Sequence, residues 1–209
     1  MRCLNFLLFL LISINFASSW EIIDDMIAEI NDGTILGRLV KSKTGKAVKA
    51  FLGIPYAAPP VNDLRFKSPQ KPQKWEGMKR TQLDGPKCVQ GSSTTLQGNE
   101  DCLYLNVYVP AENLTNIPVI FWIHGGAFSS GEGSYSLYNP EFLVDHDVIL
   151  VSGNYRLGPL GFLSTEDNNA QGNFGFKDQV MILKWIQENI EHFGGDKNSV
   201  TIFGGKEIN

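Results

Sequence analysis

Three short apolar runs, each followed by a turn or helix signal, constrain this chain more than any other feature. Residues 118–123 and 148–151 are almost unbroken apolar stretches, and residues 199–203 form a third β-rich run. Strands of this kind are buried on both faces, which requires a parallel or mixed sheet under helices. Between the second and third runs lies the best helix, residues 174–193. Its Phe176, Val180, Leu183, Ile186, Ile190 and Phe193 step by three, four and seven and predict one buried stripe. Asn173 is placed to cap its start and Gly194-Gly195 to end it. Strands alternating with helices predict an α/β layer fold. Upstream, residues 35–40 and 47–54 read as two strands around a hairpin-like turn at 41–46, residues 55–72 as an extended Pro-punctuated segment, and residues 103–109 as a further strand.

The amino terminus reads differently. Met1-Arg2 is a short basic start, residues 4–16 are mostly apolar, and Ala17-Ser18-Ser19 supplies small residues for cleavage. This is the pattern of a secretory signal peptide over residues 1–19, which predicts a secreted protein. The apolar run falls short of the ~20 residues that a membrane span needs, so no span is expected after cleavage. Cleavage removes Cys3 and leaves Cys88 and Cys102, an even pair in an oxidising compartment. The pair reads as one disulfide, with two free buried thiols as the alternative. Asn113-Leu114-Thr115 is the one glycosylation sequon, set in a polar stretch between apolar runs. Lys plus Arg is 18 and Asp plus Glu 22, a net charge of −4. That sign argues against nucleic acid as a partner.

Chemistry is concentrated at Phe121-Trp-Ile-His-Gly-Gly-Ala-Phe128, where a strand ends in His124-Gly125-Gly126. Adjacent glycines let backbone N–H groups point at one spot with no side chain in the way. Acyl-transfer enzymes use such donors to stabilise the oxyanion of a tetrahedral intermediate.

Glycines after a strand are common, so the neighbouring stretches decide. Phe51-Leu-Gly-Ile-Pro-Tyr-Ala-Ala-Pro-Pro, Leu64-Arg-Phe, Glu100-Asp-Cys-Leu-Tyr-Leu-Asn-Val, Asn154-Tyr-Arg-Leu-Gly, Gly172-Asn-Phe-Gly-Phe-Lys-Asp-Gln and Phe193-Gly-Gly-Asp-Lys-Asn-Ser-Val-Thr-Ile-Phe-Gly fall in one order along the chain. With the glycine loop, they make residues 20–204 resemble the N-terminal part of the carboxylesterase type B family. The resemblance implies an α/β-hydrolase fold, with a mixed, mostly parallel central sheet flanked by helices. It implies a serine carboxylesterase acting on a small-molecule ester, with no metal or organic cofactor. Gly125 and Gly126 match the oxyanion-hole glycines, and Cys88 with Cys102 the N-terminal disulfide. Arg65 with Glu100, and Arg156 with Asp178, match structural ion pairs. The resemblance gives His124 a role in loop geometry rather than as a base. His146, His192, Ser129 and Ser130 carry no motif.

Two departures from the family pattern matter. Cholinesterases carry a tryptophan inside the first disulfide loop that holds a quaternary ammonium by cation–π attraction. Residues 89–101 contain no aromatic side chain, which points to a general or insect-type carboxylesterase. The family's strand matching residues 199–203 also runs into a nucleophile elbow, Gly-x-Ser-x-Gly. Here Gly204 is followed by Gly205-Lys206-Glu207-Ile208-Asn209, so Lys206 stands where serine is expected and residues 205–209 form a divergent tail. The expectation is a fold truncated at the elbow, lacking nucleophile, acid and base, and therefore inactive as this chain. Gly-Lys at that point fits a read-through splice donor. The alternative is a binding or adhesion module on the same scaffold.

Overall fold

The computed structural model describes residues 26–112 and 114–205. The signal sequence, Asn113 and Lys206 of the preceding reading lie outside the described residues. Two sheets organise the rest. A small one joins β1 (Ile27–Ile30), β2 (Gly33–Leu36) and β5 (Met78–Arg80) in the order β1-β2-β5. The large one runs β3-β4-β6-β8-β7-β9, from β3 (Arg38–Lys41), β4 (Ala47–Pro55), β6 (Tyr104–Pro110), β7 (Ile117–Ile123), β8 (Ile149–Gly153) and β9 (Gly195–Gly204).

The large sheet is mixed, but the expectation of mostly parallel pairing needs correction for these strands. β3 with β4, β4 with β6, and β6 with β8 are antiparallel, whereas β8 with β7 and β7 with β9 are parallel. The antiparallel half begins with a hairpin through residues 42–46, which needs no crossover helix.

The run at residues 35–40 is not one strand. It breaks at Gly37 and serves both sheets. A Cβ at Gly37 would sit 2.7 Å from the Ala50 carbonyl oxygen and 2.9 Å from the Phe51 ring. Only glycine lets the chain cross β4 this closely. The Gly37 N–H donates to Met26 O (2.9 Å), and its carbonyl accepts from Gln82 Nε2 (2.9 Å). Both backbone groups are therefore satisfied at the break.

Short helix α1 (Gly158–Phe162) leads to the main helix α2 (Phe174–Asn189), which tightens into a 3₁₀ turn, Ile190–Phe193, before Gly194. Its buried face differs from the predicted stripe. Phe174, Asp178, Ile182, Trp185, Ile186 and Asn189 face inward, while Phe176 and Val180 are exposed. Two inward positions are polar, which hides this face from a hydrophobic count. Asp178 is held by Arg156, and Asn189 donates to Trp185 O (2.9 Å) while accepting from the Asn31 N–H (2.9 Å). Asn173 does not cap α2 with its side chain. It is left-handed (φ 56°), and its carbonyl accepts from Lys177 N.

α2 packs on one face of the large sheet. Ile182, Trp185, Ile186 and Ile190 share a core with Val119, Phe121, Val151, Leu105 and Phe51. β8 is buried along its whole length. β7 and β9 are not, contrary to the reading of strands covered on both faces. Pro118 is exposed, Trp122 is half-buried, and Ile202 and Phe203 are about half exposed. No helix among the described residues is long and apolar enough to cross a membrane.

Candidate active site

The C-terminal ends of the parallel strands β7 and β9 converge on one loop. In open α/β sheets this end of the strands is where ligands bind. β7 stops at Ile123, whose carbonyl accepts from the Gly205 N–H (3.0 Å) beyond β9. A Cβ on Gly205 would lie 3.1 Å from the Gly125 nitrogen. The residue after β9 thus abuts the glycine loop directly.

His124 anchors the loop's start. Its ring is buried and stacks on Tyr155, with centroids 4.3 Å apart and planes 13° from parallel. The Tyr155 hydroxyl donates to the His124 carbonyl (2.9 Å), and His124 Nδ1 lies 2.9 Å from Gly125 O. Because a carbonyl only accepts, that contact places the proton on Nδ1. Burial pushes the His124 pKa down and keeps the ring neutral. Nε2 has no hydrogen-bond partner among the described residues.

Gly126 then turns the chain with φ +124°, and a Cβ there would collide with the Ser130 carbonyl. Ala127 and Phe128 continue with positive φ, 52° and 54°. Two successive left-handed residues make a primed turn, closed by Ser129 N donating to Gly126 O (3.0 Å). Neither Gly125 nor Gly126 donates its N–H to an acceptor among the described residues. The Ser129 and Ser130 hydroxyls both donate to the Gly126 carbonyl, at 3.1 and 3.3 Å. They are bound into the turn rather than poised beside a base.

A left-handed L-residue costs roughly 1–2 kcal/mol. Part of the offset lies in Phe128, whose ring packs at 5.1 Å on Phe162 and 5.3 Å on Phe176, themselves 5.3 Å apart. Its carbonyl also accepts from Gly158 N (2.7 Å). Phe176, drawn outward from the helix core, has its role here. Sequence reasoning missed this cluster because its members lie 14 to 48 positions apart with no shared period.

Arg65, Cys88, Glu100, Cys102 and Arg156 line one small crevice. Cys88 and Cys102 are bonded, S–S 2.07 Å. Arg65 grips Glu100 with Nε and Nη2, at 2.5 and 2.8 Å. Arg156 grips Asp178 with Nε (2.8 Å), Nη2 (2.7 Å) and its backbone N–H (3.0 Å), and reaches Lys67 O through Nη1 (2.8 Å). Desolvation pushes the Asp178 carboxyl up against the opposing pull of Arg156. His146 and His192 are exposed at the ends of 3₁₀ turns, away from the loop. No group of three or more His, Cys, Asp or Glu among the described residues is placed to hold a metal ion.

A mixed sheet whose parallel strands β7 and β9 end at a glycine turn with positive φ defines an α/β scaffold. The comparisons make this specific: residues 24–206 match the carboxylesterase family model, and the chain belongs to that family. It is 52% identical over 177 residues to the juvenile hormone esterase of Tribolium castaneum, covering 82% of this chain and 30% of the relative. It is 49% identical over 187 residues to esterase E4 of Myzus persicae, covering 84% and 33%. Among solved structures, it superposes on the juvenile hormone esterase of Manduca sexta with TM-score 0.81 and 36% identity, over 86% of this chain and 35% of that one. A PNB esterase gives TM-score 0.78 and 44% identity, over 86% and 38%. The chain thus spans about a third of the length of the relatives it matches.

Proposed function

We propose that this chain is the oxyanion-loop portion of a secreted serine carboxylesterase acting on small-molecule carboxylic esters. The observation that carries the proposal is the abutment of Gly205 on the Gly125 nitrogen, which brings the end of β9 to the glycine loop whose Gly125 and Gly126 N–H groups find no acceptor among the described residues. In an acyl transfer, a nucleophile presented at that turn would attack the ester carbonyl, and the two N–H donors would hold the developing oxyanion. Removing one such donor from an enzyme typically costs 10²–10³-fold in kcat. Lys206 occupies the next position, and lysine there supplies no hydroxyl for an acyl-enzyme.

On this reading, residues 1–19 are the signal peptide, residues 20–204 the esterase portion, and residues 205–209 a divergent tail. Catalysis then belongs to a polypeptide that continues through Gly-x-Ser-x-Gly. The test uses a p-nitrophenyl ester and a fluorophosphonate probe on the 209-residue chain and on the product of any longer transcript. The chain should neither turn over nor label, and the longer product should label at its elbow serine. Stoichiometric labelling of the 209-residue chain, abolished by replacing one serine, would overturn the assignment. A longer transcript encoding a replaced serine would instead support a non-catalytic binding module.

A further inference from the structure

We propose that Gln90 is a positioning residue that ties the disulfide loop to the glycine loop. The inference rests on the carboxylesterase reading for its functional meaning, but its geometry stands without it. Gln90 lies two residues after Cys88, inside the loop closed by the Cys88–Cys102 bond. Its backbone is fixed by an exchange with Gln97, N–H to carbonyl in both directions at 2.9 Å. From that frame the side-chain amide reaches 41 residues along the chain. Oε1 accepts from the Gly131 N–H (2.9 Å), and Nε2 donates to the Gly131 carbonyl (2.9 Å) and to Cys88 O (3.0 Å). A primary amide has two donors. Both are used, and the contact with Gly131 has the two-way pattern of a strand pair.

Gly131 is the residue through which that grip reaches the site. It has φ +112°, and a Cβ there would strike both the Gly125 carbonyl and His124 Nδ1. It is therefore packed directly behind the first residue of the proposed oxyanion hole. Two residues on, Gly133 is held from the sheet. Its N–H donates to Asn154 Oδ1 (2.8 Å), and its carbonyl accepts from Asn106 Nδ2 (3.0 Å) and Ser152 Oγ (2.8 Å). The return arm of the turn is thus pinned twice, by the sheet at Gly133 and by the disulfide loop at Gly131. Sparsely populated backbone such as that at Ala127 and Phe128 persists only where its surroundings over-determine it. Gln90 supplies the pin nearest Gly125.

Hydrogen exchange read by mass spectrometry on the disulfide-bonded chain tests this without any ester. Gln90→Ala should speed exchange across residues 125–133 by about tenfold, the effect of losing a net hydrogen bond or two. Peptides from β6 and β8 should keep their protection. Gln90→Glu adds a readout that a merely structural role would not move. Ionised at pH 7, the carboxylate accepts from the Gly131 N–H but cannot donate to its carbonyl. Below the ordinary Glu value of about 4.3 it regains a donor, so protection of residues 125–133 should recover near pH 3.5. The ionisable groups His124, Lys87 and Glu132 are common to every variant, so the wild-type pH trace is subtracted. Faster exchange confined to residues 88–102 would overturn the proposal, as would equal loosening of every strand or a wild-type chain with no protection in β8. A failed esterase assignment shows in probe labelling and leaves the exchange result intact.

Discussion

Arg156 and Asp178 meet in the core with three hydrogen bonds of 2.7 to 3.0 Å between them, and their side chains are 4% and 0% exposed. The pair fastens the start of α2 to the segment that follows β8. It also explains why an acidic residue sits on the inner face of the helix.

Removing one partner leaves the other charge buried alone. Asp178→Ala should therefore destabilise the fold by about 3–5 kcal/mol. Glu100→Ala, which frees Arg65 at a much wetter site, should do far less. Urea titration of the two variants side by side checks the ordering. Equal losses would mean that the Lys67 carbonyl, which already accepts from Arg156 Nη1, compensates for the missing carboxylate.

His124 gives a pH dependence with a definite sign. Its ring is held neutral by burial, with a pKa below the ordinary 6.5. The unfolded chain then binds more protons than the folded one between the two values, so stability rises with pH across that window. The contribution of the buried neutral ring is complete above about pH 6.5 and is lost as pH falls toward the lowered folded value. Melting temperature should drop on acidification from pH 7 to 5 more steeply in the wild-type chain than in His124→Asn. Parallel slopes would remove His124 from the account.

Two glycines with positive φ separate backbone strain from crowding. Gly45 (φ +89°) has open space where a Cβ would go, whereas at Gly131 (φ +112°) the Cβ would meet Gly125 and His124. Gly45→Ala should cost about 1 kcal/mol, the backbone term alone. Gly131→Ala should cost clearly more and should speed amide exchange at Gly125. Equal costs would show that the loop behind Gly125 yields easily.

The parts of this structure legible in the sequence are those with a local period. The hairpin around residues 42–46, the apolar core of β7 and β8 and the length of the main helix all follow from patterns within ten or twenty residues. The failures have particular causes. The helix face was misread because Asp178 and Asn189 are buried by partners at Arg156 and Asn31, which no hydrophobic count can see. The break at Gly37 depends on how closely β4 passes, a fact about another strand. The glycine run was visible at once, but its supports were not. Gln90 and Gly131 are joined across 41 residues by an amide and a peptide group, neither of which leaves a pattern.

The exposed margin of the large sheet yields the last prediction. Among the described residues β9 pairs only with β7, so the outer N–H and C=O groups of its apolar end, residues 200–204, form an open edge. Ile202 and Phe203 are 55% and 51% exposed on it, and Phe203 packs at 4.6 Å on Trp122, which in turn lies 5.1 Å from Tyr138. An apolar strand edge of this length is a template for pairing with another chain, and natural proteins blunt such edges with charge, proline or a bulge. None of these lies between Val200 and Gly204. Fully burying such a side chain contributes roughly 1.5–3 kcal/mol, and Ile202 and Phe203, about half exposed, add part of that to the main-chain hydrogen bonds an added strand makes. The chain should elute from size exclusion ahead of a monomer and shift later on dilution. Ile202→Lys, which puts a solvated charge on the edge without touching the α2 core, should restore the monomer. A wild-type chain that elutes as a monomer at every concentration would show that this edge does not recruit a partner.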